Sequence, residues 1–136
     1  MTAREGLLYL DASALVKLVA EERESGALVA FLALHRSRVS SAMARVELAR
    51  AVGRSSLGRA GRRRAEDVLA RVALVHLTEE IMAAAGDLRP PELRSLDAIH
   101  LATALSLKTE LDGFVAYDAR LLAAAAAQGL TCWSPA

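Results

Sequence analysis

Residues 7–19 read LLYLDASALVKLV. Four consecutive apolar residues are too few for a helix and suit a short strand buried on both faces, as in a parallel sheet. The aspartate that follows stands where a helix would start, and the apolar residues after it return at helical spacing. Residues 114–121, FVAYDARL, repeat the same order of apolar run, aspartate and helix start. A strand that delivers an aspartate to the mouth of a helix, twice in one chain, is the local signature of an α/β sheet.

Working outward, strands are expected at Leu7–Leu10, Val39–Ser40, Leu74–Leu77, Phe114–Tyr117 and Leu130–Trp133. Helical patterns fill the intervals. They run from Asp11 through Val19, then over Ser25–Leu34, Ala42–Val52, Arg62–Val72, Glu79–Leu88, Ser95–Leu107 and Ala119–Gln128. The stretch GRSSLGRAG at 53–61 reads as a loop, and Pro90-Pro91 ends the helix before it. Such alternation predicts an α/β domain whose mostly parallel sheet of about five short strands is covered on both faces. A length of 136 residues suits one domain over 1–136, and 54% hydrophobic residues give it material for a core. No uncharged stretch is apolar and long enough to span a bilayer, which takes about 20 residues. The start of the chain lacks a secretory pattern, so a soluble cytoplasmic protein is expected. The lone Cys132 excludes an internal disulfide and a thiolate zinc site.

Net charge is +1, but residues 36–73 carry +7 between flanks of −2 and −5. A basic middle beside acidic flanks suggests a polyanion-binding surface near an acidic site. In open α/β sheets, sites form beyond the carboxyl ends of the strands. Asp11 and Asp118 follow two strands directly, and Asp97 lies in the first turn of a helix that starts at the same edge. Glu47 sits roughly 10 Å up the helix that leaves the second strand, at about 1.5 Å per residue. Four acids distant in sequence are therefore expected to converge. Gathered carboxylates raise one another's pKa and stay ionised together only beside a cation. Hard oxygen ligands without a His/Cys cluster favour Mg²⁺ or Mn²⁺. Such a site activates water and neutralises charge on a phosphodiester under attack.

The segments YLDASAL (9–15), VELARA (46–51), LDAIHLATA (96–104) and FVAYDARL (114–121) together resemble the PIN domain, and more narrowly the VapC-type toxins of bacterial toxin–antitoxin pairs. The resemblance runs from about Leu7 to Trp133. It implies a three-layer α/β/α fold and a Mg²⁺/Mn²⁺-dependent endoribonuclease that hydrolyses RNA with metal-activated water. The acidic quartet then falls on Asp11, Glu47, Asp97 and Asp118, as metal ligands and catalytic residues, with Ser13 supporting them. It also implies a homodimer and a small cognate antitoxin that occludes the site. One departure stands out. The family often has serine or threonine two residues before the last aspartate, where this chain has Ala116.

Each residue also has a plainer reading. Asp11 and Asp118 suit helix N-caps, and Glu47 could pair with Arg50 or Arg54 along its helix. His100, one turn from Asp97, reads as a satisfied core histidine rather than a general base. Arg59, Arg62, Arg63 and Arg64 are candidates for RNA contact, or a solvated helix face. Aromatic residues are only 4% of the chain, so any RNA grip should be led by phosphate contacts. Phosphatases of the haloacid dehalogenase type need an acid where Ser13 stands. A phosphoreceiver would need a lysine that neither Lys17 nor Lys108 supplies, and no GxGxxG turn marks a dinucleotide site. The remaining alternative is a PIN-like domain that binds RNA or a partner without cleaving.

Overall fold

The computed structural model describes residues 4–136. Its elements are β1 (Arg4–Leu10), α1 (Ala12–Val19), α2 (Ser25–Leu32), β2 (His35–Ser41), α3 (Ala44–Gly53) and α4 (Gly58–Ala70). There follow β3 (Ala73–Val75), α5 (Glu79–Gly86), α6 (Ser95–Ser106), β4 (Leu111–Val115), α7 (Ala119–Ala127) and β5 (Cys132–Trp133). The strands form one sheet in the order β3-β2-β1-β4-β5, and every pairing is parallel. The expected α/β architecture is present, with a fully parallel sheet.

Alternation along the central strands divides the core. Leu8 and Leu10 of β1 and Val115 of β4 face α1, α2, α3 and α4, packing with Leu15, Leu28, Leu32 and Leu48. Tyr9, Phe114 and Ala116 point the other way, against Leu101 and Ala104 of α6 and Leu121 and Ala125 of α7. Burying each large side chain is worth about 1.5–3 kcal/mol, so β1 and β4 draw stability from both layers. The strand order reverses between β1 and β4, and a sheet of this kind opens a crevice at that switch point.

Several boundaries differ from expectation, each for a physical reason. β2 covers seven residues rather than Val39–Ser40. Val39 is its one aliphatic residue, and the strand is held by ladders to both β1 and β3. The supposed loop at 53–61 shortens because α4 begins at Gly58. Gly58 takes a positive φ of 62° at the helix entry. A Cβ on the buried Gly61 would lie 2.4 Å from the Cβ of Leu57, so this glycine serves close packing. β4 lies earlier than Phe114–Tyr117, ending at Val115. Gly113 within it sits under the Trp133 ring, where a Cβ would come within 2.6 Å of Cδ1. Asp118 therefore stands a short extended link beyond the strand, not directly after it.

Candidate metal centre

Asp11 occupies the switch point. Its N–H donates to the Val115 carbonyl at 3.2 Å, joining the ends of β1 and β4. Its Oδ1 accepts from the Ala14 N–H at 3.0 Å and the Ser13 hydroxyl at 2.7 Å, so it caps α1. The residue is 3% exposed. Burial raises its pKa; the Ser13 and Ala14 bonds oppose the rise, and the nearby Asp97 charge adds to it. Asp118 caps α7 in the same manner, its Oδ1 accepting from the Leu121 N–H at 2.9 Å.

Asp97, in the first turn of α6, is partly buried. Desolvation raises its pKa, and the charges of Asp118 and Glu47 raise it further, against His100 and Arg94. Asp97 and Asp118 line one cavity of about 310 Å³ with Glu92, Leu93, Arg94 and Arg120. Glu47 reaches over from α3. Its partner is not Arg50 or Arg54 but His100, whose Nε2 lies 2.6 Å from Glu47 Oε1.

Asp97 thus lies within electrostatic reach of Asp11, Asp118 and Glu47. Among the described residues, however, no three His, Cys, Asp or Glu side chains stand close enough to hold an ion as they are. Like charges repel, and three of the carboxylates have one oxygen tied: Asp11 and Asp118 to helix N–H groups, Glu47 to His100. Capping and ligation are compatible, because each carboxylate keeps a second oxygen. Magnesium retains several waters and needs only one or two carboxylates plus substrate phosphate. The two carboxylates of the Asp97–Asp118 cavity meet that demand.

Ser13 is the hinge of the arrangement. Its hydroxyl donates to Asp11 Oδ1 and accepts from the Tyr117 N–H at 3.2 Å, linking α1 to the segment that carries Asp118. Ala116, where the family often has a hydroxyl residue, is wholly buried against α6 and α7. Ser13→Ala should lower stability by about 1 kcal/mol, since it strands the Tyr117 N–H and frees Asp11. Thermal denaturation checks this. An unchanged melting curve would mean that the link carries no strain or support.

The arginine candidates divide. Arg59, Arg62 and Arg63 are exposed on α4. Arg64 donates from Nη1 to the Val19 carbonyl at 3.2 Å. It closes the end of α1 opposite Asp11, a favourable place for a cation. Arg94 and Arg120, not among the residues singled out above, also line the cavity. Their proximity to Asp97 and Asp118 in the sequence was the available signal.

A family model for the PIN domain matches residues 8–130, and the chain belongs to this family. Within it the chain sits among the VapC proteins. It is 42% identical over 128 residues to Ribonuclease VapC46 of Mycobacterium tuberculosis (strain ATCC 25618 / H37Rv), covering 94% of this chain and 97% of the relative. The fold is shared with VapBC2 from Rickettsia felis, crystallised bound to a DNA fragment from their promoter. There the TM-score is 0.75 at 13% identity, over 96% of this chain and 99% of the other. It is shared too with VapC20 of Mycobacterium tuberculosis, a Sarcin-Ricin loop cleaving toxin, at a TM-score of 0.73 and 19% identity, over 94% and 99% of the two chains.

Proposed function

We propose that the chain is a Mg²⁺/Mn²⁺-dependent endoribonuclease, the toxin of a toxin–antitoxin pair. One observation carries the reading: Asp97 and Asp118 line one cavity, and Asp11 and Glu47 lie within electrostatic reach of Asp97. Kinship with a protein named as a ribonuclease supports the same chemistry. Asp97 and Asp118 would hold the cation, with Asp11 and Glu47 as further ligands. When bound, a divalent ion supplies a Lewis acid for phosphoryl oxygen and an acidified water.

The chain's own groups do the rest. The helix-capping bonds of Asp11 and Asp118 fix where each carboxylate stands. Arg94 and Arg120 line the same cavity and would meet phosphate oxygens. Arg59, Arg62 and Arg63, exposed on α4, would add phosphate contacts, so RNA affinity should fall steeply with salt. Hydrolysis should leave 5′-phosphate ends; 2′,3′-cyclic phosphates would mean that the RNA's own 2′-hydroxyl is the nucleophile. We further propose that residues 1–136 act as a single cytoplasmic domain that forms a homodimer and is silenced by a small antitoxin. No helix among the described residues is long and apolar enough to cross a membrane.

The test is incubation with structured RNA, with and without Mg²⁺ or Mn²⁺, for the native chain and Asp97→Asn. A PIN-like domain that binds without cleaving has one observation in its favour, the lack of a ready three-ligand cluster among the described residues. Metal-dependent cleavage lost in the variant would dismiss it.

A pH dependence follows from Asp11 and Asp97, whose folded-state pKa values lie above the ordinary 3.8. The metal-free folded chain then binds protons more tightly than the unfolded chain. The stability contributed by these groups is greatest at low pH and is lost as pH rises through their folded pKa values. A cation competes with those protons, so Mn²⁺ should raise the melting temperature more near neutrality than at acid pH below the folded-state pKa values of Asp11 and Asp97. Equal shifts at both pH values would contradict a site built from these two carboxylates.

A further inference from the structure

His100 is a buried polar residue that the metal centre alone does not explain. It is 1% exposed and has a strong partner on each ring nitrogen. Nε2 lies 2.6 Å from Glu47 Oε1, and Nδ1 lies 2.7 Å from the Tyr9 hydroxyl. A carboxylate can only accept, so Nε2 carries a proton and donates. Burial holds the Tyr9 phenol in its protonated form, and its hydroxyl shares a hydrogen bond with Nδ1. Both ring nitrogens are thus paired, and the ring cannot turn over without breaking both bonds. Tyr9 is itself fixed, stacked on Phe114 with centroids 5.4 Å apart and planes 10° from parallel.

The path of this chain is informative. Tyr9 comes from the central strand and His100 from α6 on one face of the sheet. Glu47 comes from α3, which packs on the other face. The His100–Glu47 bond therefore ties the two helical layers together beside the acidic site. A device serving stability alone has no need to hold a carboxylate within electrostatic reach of Asp97. A relay that fixes a cation ligand would do so. Histidine orientation by outer hydrogen bonds is a common means of tuning metal sites, and here the roles are exchanged: the histidine orients the carboxylate.

We propose that Tyr9 and His100 are positioning residues that hold Glu47 by one oxygen, so that the other is offered to the divalent cation in a fixed place. This rests on the reading of the acids as a cation site. The signature in the chain is the pairing of Tyr9 with Asp11 on β1 and its edge, and of Asp97 with His100 on one face of α6. Each element supplies one ligand and one group that positions another.

The experiment combines Mn²⁺ binding, measured by electron paramagnetic resonance of the free ion, with ¹⁵N spectra of histidine in the full chain. The native protein should bind Mn²⁺, and Asp97→Asn should lose it. If the native chain binds none, or the variant binds as well, the cation-site reading itself fails. With that reading intact, His100→Leu should weaken Mn²⁺ binding about 10–100-fold, and Tyr9→Phe should do so by about 10-fold. His100→Gln keeps an N–H donor near the Nε2 position and should recover most of the affinity. Folded His100→Leu with native Mn²⁺ affinity, or Gln no better than Leu, would overturn the positioning role. The native spectrum decides independently, even if a variant fails to fold: His100 should show a protonated Nε2, and a bare Nε2 would refute the relay.

Discussion

Asp97→Asn should reduce RNA cleavage by at least about 10²–10³-fold, the loss typical when one preorganised electrostatic group is removed from a reaction centre. The same change should make the metal-free protein more stable. Asp97 is held above its ordinary pKa first by desolvation and next by the charge of Asp118, and asparagine keeps the shape without the charge. An opposite movement of activity and stability is the mark of a site that stores repulsion for a cation to relieve. It separates this account from a structural one, in which losing Asp97 should cost stability. Parallel measurements of cleavage rate and melting temperature in chelator suffice, and a variant that is less stable and fully active contradicts the assignment.

Phe114→Ala is expected to have the largest effect on stability, a loss of about 3–5 kcal/mol. Phe114 is wholly buried in β4 and lies face to face with Tyr9 of β1, so its removal opens a hole where sheet, α6 and α7 meet. Against a total stability of about 5–15 kcal/mol, this should lower the melting temperature by roughly 10–20 °C. Denaturant unfolding gives the free energy directly. A loss under about 1 kcal/mol would mean that this face of the sheet is not packed as described.

How much was legible beforehand depended on whether the cause was local. The apolar run ending in Asp11 gave the first strand and its helix, because burial and capping act over neighbouring residues. The same pattern located Asp118, although the strand stops at Val115 and the aspartate caps its helix after a short link. β2 was seen only at Val39–Ser40: its polar residues gain their place from ladders to two neighbouring strands, which no period-two pattern records. Gly58 and Gly61 read as loop, since glycine's use in tight packing looks like its use in turns. The partnership of Glu47 with His100 was invisible for a related reason. The two residues sit on helices from opposite faces of the sheet, and only the assembled edge brings them to 2.6 Å.

The most direct measurement is anomalous diffraction from crystals grown in millimolar Mn²⁺. The account predicts a manganese peak in bonding contact with Asp97 and Asp118, with the free oxygen of Asp11 or Glu47 turned towards it. Well-ordered crystals with no manganese at that edge, from a protein that still cuts RNA in the presence of a chelator, would contradict it.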